Sequence, residues 1–314
     1  MTPDQPLRVG VAGVGHLGRH HVRILGGMSD VRLVSVADHD IEKARAAAPE
    51  GTRVERSHEA LLGEVDAVVV AVPTVNHLAV ASDFLRAGAH VLVEKPIAAS
   101  LAEADAMVAL AEARGLTLAV GHTERFNPAV EAALGVLTEP RFIEVHRMSG
   151  FPERSLDIDV VFDVMIHDLD LVTTIDPSEV VSLEAVGVPV LTSRVDIANA
   201  RLRFASGCIA NLTASRISRD AVRKIRCFQP DMYVSVDAGA RELEVWRLRR
   251  SGVERPAIEG GRAPVEDGEP LARELRDFID AITQRRQPRV SGRAGRAALA
   301  LATRVADSIK DSTR

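Results

Sequence analysis

Residues 7–18 read LRVGVAGVGHLG, and the reading of this stretch decides the fold. A β-branched apolar run leads into Gly13, Gly15 and Gly18 at the spacing G-x-G-x-x-G, and an amphipathic stretch follows over residues 17–27. In a strand, turn and helix each glycine has a separate task. The first permits the tight turn, the second lets a pyrophosphate approach the backbone, and the third lets helix and strand pack closely. The helix N-terminus then presents N–H groups to the anion. Outward from the turn, strand-like runs recur at 31–38 (VRLVSVAD), 66–73 (DAVVVAVP), 90–96 (HVLVEKP) and 116–121 (LTLAVG), separated by helical stretches over 40–48, 76–87 and 100–114. The runs are continuously apolar rather than alternating, the mark of strands covered on both faces, so this part reads as a doubly wound α/β domain of Rossmann type with a parallel sheet.

Asp38 ends the second strand about 20 residues after Gly18, where a carboxylate accepts hydrogen bonds from an adenosine ribose and repels a 2′-phosphate. NAD is therefore the expected cofactor, ahead of NADP. Two alternatives stay open: the glycines as plain turn residues with Asp38 as a helix N-cap, and Arg45 or a nearby loop as receiver of a 2′-phosphate.

After GHTERFNPAV (121–130) the texture changes. Segments such as RFIEVHRM (141–148) alternate in polarity, ANARLRF and CIANLTASRI flank a short turn, and KIRCF and YVSVD flank QPDM, with RELEVWRL available as a further strand. On residues 197–204, Asn199, Arg201 and Arg203 share one face while Ala198, Ala200, Leu202 and Phe204 share the other. Residues 122–314 thus read as a second α/β domain on an open, mainly antiparallel sheet, one face on a helical core and the other polar, toward solvent or a second subunit. Residues 252–270, rich in Gly, Pro and charge, read as a loop, and helices are expected near 271–286 and 293–311. The boundary falls between a dinucleotide-binding domain, 1–121, and a second domain, 122–314, to which the family resemblance described below assigns substrate binding and oligomerisation.

Composition narrows the function classes. With 46% hydrophobic and 26% charged residues and a net charge of −5, this is an ordinary globular chain without the basic footprint that nucleic-acid binding needs. An aromatic content of 3% also argues against base stacking. The N-terminal MTPDQPLR carries no apolar run, and no stretch has membrane length, so a cytoplasmic protein with no membrane partner is expected. Cys208 and Cys227 sit in strand-like segments without a neighbouring Cys or His at metal-ligand spacing, which reads as two buried free thiols and no metal site.

Two further stretches carry chemistry. In VLVEKPIA, Glu94 and Lys95 lie at the carboxyl end of a strand, the edge at which open parallel sheets bind ligands, and a lysine there should point into a polar crevice. Residues 160–172, VVFDVMIHDLDLV, have the apolar texture of a buried helix yet contain Asp163, His167, Asp168 and Asp170. On a regular helix Asp163, His167 and Asp170 form one polar stripe, with Asp168 off it, facing solvent or a backbone donor. A carboxylate beside a histidine orients the imidazole and stabilises its protonated form, as a general base requires. The plainer alternative is a buried Asp–His hydrogen bond that only fixes the helix.

The glycine turn, AVPTVNH (71–77), VEKP (93–96) and FDVMIHDLD (162–170) resemble, in order and over essentially the whole chain, the motifs of the Gfo/Idh/MocA family of oxidoreductases. The resemblance implies a Rossmann domain followed by an α/β domain whose open sheet serves oligomerisation, as a homodimer or homotetramer. The family's lysine matches Lys95, its catalytic aspartate Asp163 and its catalytic histidine His167. Its cofactor turn matches Gly13, Gly15, His16, Leu17 and Gly18. Pro73, Thr74 and His77 match the segment beside the nicotinamide ribose, and Glu94 joins them at the cofactor edge. A glycine common in the family is replaced by Met165, which is expected to narrow the space beside the helix.

Longer segments, VGHTERFNPAV, RSLDIDVVFDVMIHDLDLV, VGVPVLTSRVDIANARL and ANLTASRIS among them, resemble more narrowly the dehydrogenases that oxidise the 3-hydroxyl of UDP-N-acetylglucosamine to the 3-keto sugar nucleotide used for 2,3-diamino lipid A biosynthesis. The resemblance implies that His167, helped by Asp163, takes the hydroxyl proton while hydride passes to the nicotinamide, with Lys95 on the alcohol oxygen; Lys95 as the base is the other assignment. A sugar diphosphate needs cations or polar donors, for which Arg125, Asn127, Arg147, Arg154 and Arg216 are candidates, with Asp170 on the substrate side. The rivals are a polyol or free-sugar dehydrogenase of the same family and a non-catalytic dinucleotide-sensing regulator.

Overall fold

The computed structural model describes residues 5–151, 158–250 and 257–312, and the chain divides into two compact units. The first contains β1 (Leu7–Ala12), α1 (Gly18–Gly26), β2 (Val31–Ala37), α2 (Ile41–Ala47), β3 (Arg53–Glu55), β4 (Ala67–Val70), α3 (His77–Arg86), β5 (His90–Glu94), α4 (Leu101–Arg114) and β6 (Leu118–Gly121). The strands are all parallel, in the order β3-β2-β1-β4-β5-β6. This is the expected doubly wound sheet, and the near-complete burial of β1, β4, β5 and β6 explains their unbroken apolar runs. The edge strand β3 was invisible to that criterion because it is three residues long and only partly covered.

The second unit contains α5 (Pro128–Leu134), β7 (Phe142–Met148), a π-helical turn (Val161–Met165) running into α6 (Ile166–Ile175), and β8 (Val180–Val188), β9 (Ile197–Phe204), β10 (Ile209–Ser215), β11 (Val222–Gln229), β12 (Met232–Asp237), β13 (Glu242–Arg249) and β14 (Ala257–Ala263). The sheet order is β14-β13-β12-β11-β7-β10-β9-β8, antiparallel throughout except for the β7–β10 pair. The predicted polarity of β9 holds: Ala198, Ala200, Leu202 and Phe204 are buried while Asn199, Arg201 and Arg203 are exposed. Helix α6 and the π turn lie on the inner face against β7 and β10, and α5 against β12 and β13.

The expected loop over 252–270 is corrected. Residues 257–263 form β14, paired with β13 from Leu243↔Ala263 to Arg249↔Ala257. As the outermost strand it has little cover on either face, so it has no need of the hydrophobic alternation by which strands are recognised. Cys208 and Cys227 are buried and unbridged, and burial pushes their thiols up to about 11 and about 12, leaving them unreactive.

The last two helices are α7 (Pro270–Thr283) and α8 (Gly292–Ser312). The segment Leu271–Leu299 belongs to the first unit, not to the second as the linear boundary had it. Leu275, Phe278, Ile279 and Ile282, at the i, i+3, i+4, i+7 spacing of one helix face, join Val9, Val11, Val22 and Leu25 in a single core cluster. The returning segment is also tied to β6, where the Val120 N–H donates to the Val290 carbonyl at 3.0 Å. From Ala300 onward α8 belongs to the second unit, where Ser308 Oγ accepts from the Ala185 N–H at 3.1 Å. An amphipathic stripe says that a helix is buried, but not against which core.

Phe278 is 1% exposed. Phe278→Ala should therefore destabilise the protein by about 3–5 kcal/mol, read as a lowered midpoint of urea unfolding. A loss under about 1 kcal/mol would mean that α7 is not part of the first core.

Candidate active site

The glycine turn has the geometry a dinucleotide needs. Gly13 follows β1 at φ +90°, and a Cβ there would lie 2.5 Å from the Ala71 carbonyl oxygen. At Gly18, the first residue of α1, a Cβ would overlap the Gly13 carbonyl. Gly15 has open space before it: no described atom comes within 4 Å of its Cβ position, which leaves room for a phosphate. The first turn of α1 carries no acidic side chain and no side-chain cap, so its N–H groups suit an anion. His16 is exposed and meets His20 edge-on at 5.8 Å, and Leu17 is half-buried.

Asp38 stands beside this turn, bound to it. Its Oδ2 accepts from the Val14 N–H at 2.9 Å and its Oδ1 from the Asp40 N–H at 2.9 Å. The cap of α2 is Asp40, whose side chain accepts from Lys43 N, so Asp38 is not a helix cap. A carboxylate fixed at the end of β2 fits a ribose diol and opposes a 2′-phosphate. Arg45, exposed, pairs with Glu42 at 2.8 Å.

At the carboxyl ends of β4 and β5 the expected residues separate into two groups. Pro73 is exposed, and Thr74 and Lys95 are half-buried, so these border the space above the sheet edge. Glu94 and His77 are buried, 6% and 1% exposed, and have hydrogen-bond partners within the protein. Glu94 Oε1 lies 2.7 Å from His21 Nε2, and Oε2 accepts from the Lys95 N–H at 3.3 Å. Burial opposes the charge on Glu94, but the hydrogen bond from His21 and the charge of Lys95 outweigh it and hold its pKa below the ordinary carboxylate value.

His21 and Glu274 were missed by sequence reading. Their one signal was a polar residue at a core position of an amphipathic helix. Glu274, on α7, is 2% exposed, and burial, reinforced by the Glu94 and Asp277 carboxylates, raises its pKa well above 4.5.

In the second unit the charges of the 160–172 stretch have found partners. Asp168 is 1% exposed and takes a forked hydrogen bond from Arg147, Nη2 to Oδ1 at 2.7 Å and Nε to Oδ2 at 3.0 Å, while Arg147 Nη1 reaches Glu124 at 2.8 Å. Asp170, also 1% exposed, receives Arg125 Nε at 2.6 Å and Nη2 at 2.7 Å. Two expectations are thereby corrected: Asp168 faces neither solvent nor a backbone donor, and Asp170 is committed to Arg125 rather than to the histidine. Asp163 and His167 remain half-buried. The helix between them is not regular, because the Ile166 N–H bonds to the Val161 carbonyl, five residues back. That wider turn rotates Asp163 relative to a simple i, i+4 stripe, a device common at functional positions. Met165 is wholly buried.

The same geometry sorts the diphosphate candidates. Arg147 and Arg216 are 7% and 0% exposed. Arg216 is spent on Asp196 at 2.9 Å and on the Ile158 carbonyl at 2.6 Å, so neither guanidinium is presented to a ligand. Asn127 accepts from the Ala129 N–H and donates to the Ala238 carbonyl, fixing the start of α5. Arg125 keeps partial exposure, and Arg154 lies outside the described residues. Among the described residues no cluster of three or more His, Cys, Asp or Glu is placed to hold a metal, and no helix is long and apolar enough to cross a membrane.

The raised pKa of Glu274 has a measurable sign. The folded protein keeps this proton to higher pH than the unfolded chain does, so stability falls as pH rises above 4.5. Glu274→Gln should remove that loss, and its urea stability should exceed wild type at neutral pH and converge with it in acid. Parallel curves for the two proteins would show that Glu274 titrates normally.

Comparison with known proteins matches this arrangement. The family described as "Oxidoreductase family, NAD-binding Rossmann fold" (GFO_IDH_MocA) matches residues 7–122. UDP-N-acetylglucosamine 3-dehydrogenase of Acidithiobacillus ferrooxidans is 41% identical over 95% of this chain and 96% of its own. A solved structure of that enzyme superposes with a TM-score of 0.90 over 97% of this chain and 98% of its own, at 39% identity. Inositol 2-dehydrogenase of Rhizobium meliloti is 27% identical over 97% of both chains. Likeness on that scale, running through the second unit as well as the first, makes this protein a member of the Gfo/Idh/MocA family of oxidoreductases, built to bind a nicotinamide dinucleotide.

Proposed function

We propose that the protein oxidises the 3-hydroxyl of UDP-N-acetylglucosamine to the 3-keto sugar nucleotide, with NAD as the hydride acceptor, in the cytoplasm. The observation that carries this reading is the 41% identity to a UDP-N-acetylglucosamine 3-dehydrogenase over nearly the full length of both chains. It includes the second unit, which bears the substrate-side residues. The preference for NAD rests on Asp38, whose carboxylate is pinned beside the glycine turn by two main-chain N–H groups.

A bound nicotinamide dinucleotide supplies the hydride acceptor. The chain's own residues do the rest. His167 takes the proton of the sugar hydroxyl, Asp163 orients the imidazole, and Lys95 holds the alcohol oxygen and stabilises the negative charge that develops there as hydride leaves the carbon. The first turn of α1 and Gly15 would hold the pyrophosphate of that cofactor.

The proposed assembly is a homodimer or homotetramer through the uncovered face of the second sheet. In register across five neighbouring strands stand Ile209, Phe142, Phe228, Tyr233 and Trp246. The rings of Phe142 and Phe228 lie 5.6 Å apart and those of Phe228 and Tyr233 5.0 Å. The chain has eight Phe, one Tyr and one Trp, and this row takes two of the Phe with the Tyr and the Trp. Such a concentration supports an interface core.

Reduction of NAD, followed at the reduced-nicotinamide absorbance band, should proceed with UDP-N-acetylglucosamine and not with inositol or glucose; the reverse preference would establish the polyol reading. His167→Asn should lower kcat by about 10²–10⁴-fold with NAD affinity retained, and near-normal turnover would remove it as the base. Phe228→Glu with Trp246→Glu should shift the protein to monomer in sedimentation velocity, and an unchanged oligomer would clear this face of the role.

A further inference from the structure

The two ring nitrogens of His77 face two main-chain carbonyl oxygens. Nδ1 lies 3.0 Å from the oxygen of Pro96 and Nε2 lies 3.0 Å from that of Val72. A carbonyl oxygen only accepts, and a neutral imidazole has one N–H and one lone pair. Either tautomer would therefore set a ring lone pair against a carbonyl lone pair at one of the two contacts. The residue is 1% exposed, so water does not relieve the conflict. Only the doubly protonated ring donates to both oxygens.

The place of these contacts gives them meaning. The ladder between β4 and β5 ends at Val70↔Val93, two residues short of Lys95. On the far side β5 is held to β6 as far as Glu94↔Gly121. Beyond the end of the β4 ladder, His77 links Val72, after β4, to Pro96, after Lys95. We propose that His77 is a buried imidazolium that clamps the turn carrying Lys95 to the end of β4, and is thus a positioning residue for that lysine. The inference rests on the reading of Lys95 as the group that holds the substrate oxygen.

The charged group facing the ring is Glu94 of β5, whose carboxylate is bound by His21 of α1 and faces Lys95 and, from α7, Glu274. Burial draws the His77 pKa below its ordinary value, against the pull of the Val72 and Pro96 carbonyls and of Glu94. The hydrogen-bond geometry decides the balance, because the low dielectric that penalises the cation also penalises two opposed lone pairs and a carbonyl left without a donor. The clamp is complete in the charged form and loses one of its two links as pH rises through the pKa of the ring.

Two readouts that need no substrate test the clamp. In protein labelled with ¹⁵N-histidine, long-range ¹H–¹⁵N spectra at neutral pH should show both His77 nitrogens protonated, the signals being identified by their loss in His77→Gln or His77→Asn. One protonated and one bare nitrogen would overturn the proposal. The chain has four lysines, Lys43, Lys95, Lys224 and Lys310, so reductive ¹³C-methylation gives a simple spectrum. The Lys95 methyl signal should move in His77→Gln while the other three stay, and in wild type it should respond at the pH midpoint of the His77 nitrogens. A Lys95 signal indifferent to both would also overturn the clamp. Failure to oxidise any UDP-sugar would bear on the proposed function and leave these two results untouched.

Discussion

The site of the first unit depends on one constraint, the reversal of strand order between β1 and β4. Helices crossing from β1 cover one face of the sheet and those crossing from β4 the other, so the loops after these two strands part and leave a crevice at their carboxyl ends. Gly13 leaves β1 there, against the Ala71 carbonyl that leaves β4, and Lys95 leaves β5 one strand further along. The glycine pattern is a consequence of that geometry. A side chain at Gly13 or Gly18 would push apart the backbone segments that have to meet.

Charge inside the protein answers to a second constraint, pairing. Asp168, Asp170 and Asp196 are nearly or wholly buried, and each receives an arginine, Arg147, Arg125 and Arg216 respectively. Such pairs add little net stability, since desolvation offsets much of the attraction, but removing one partner leaves an uncompensated ion at a cost of about 3–5 kcal/mol. They therefore specify arrangement more than they stabilise it. Arg147 joins β7 to α6 through Asp168 and to Glu124 before α5, so the helix that bears Asp163 and His167 is held at a defined position on its own sheet.

The cluster of His21, Glu94 and Glu274 follows the same rule with a carboxyl to spare. Glu94 has His21 and the Lys95 main chain as donors, whereas the pKa of Glu274 is raised by its burial and by the field of Glu94. On the second sheet, the uncovered face carries a single aromatic row in which Phe228 stacks with Phe142 and tilts against Tyr233.

Most of the fold was legible in the sequence, because buried parallel strands and half-buried antiparallel ones leave patterns of their own, and because the glycine spacing with Asp38 has few other uses. The doubly wound character of the first sheet, the alternation of β9 and the cofactor turn all follow from residues near one another in the chain. What only the tertiary structure decided were partners distant in sequence: that α7 returns to the first core, that Asp168 and Asp170 belong to Arg147 and Arg125, that Glu94 turns inward to His21, and that β14 extends the sheet edge. Periodicity tells a side chain whether it is buried, but burial has no address in a single sequence. A charge's partner is chosen by the packing of whole elements, and that choice is made across the fold.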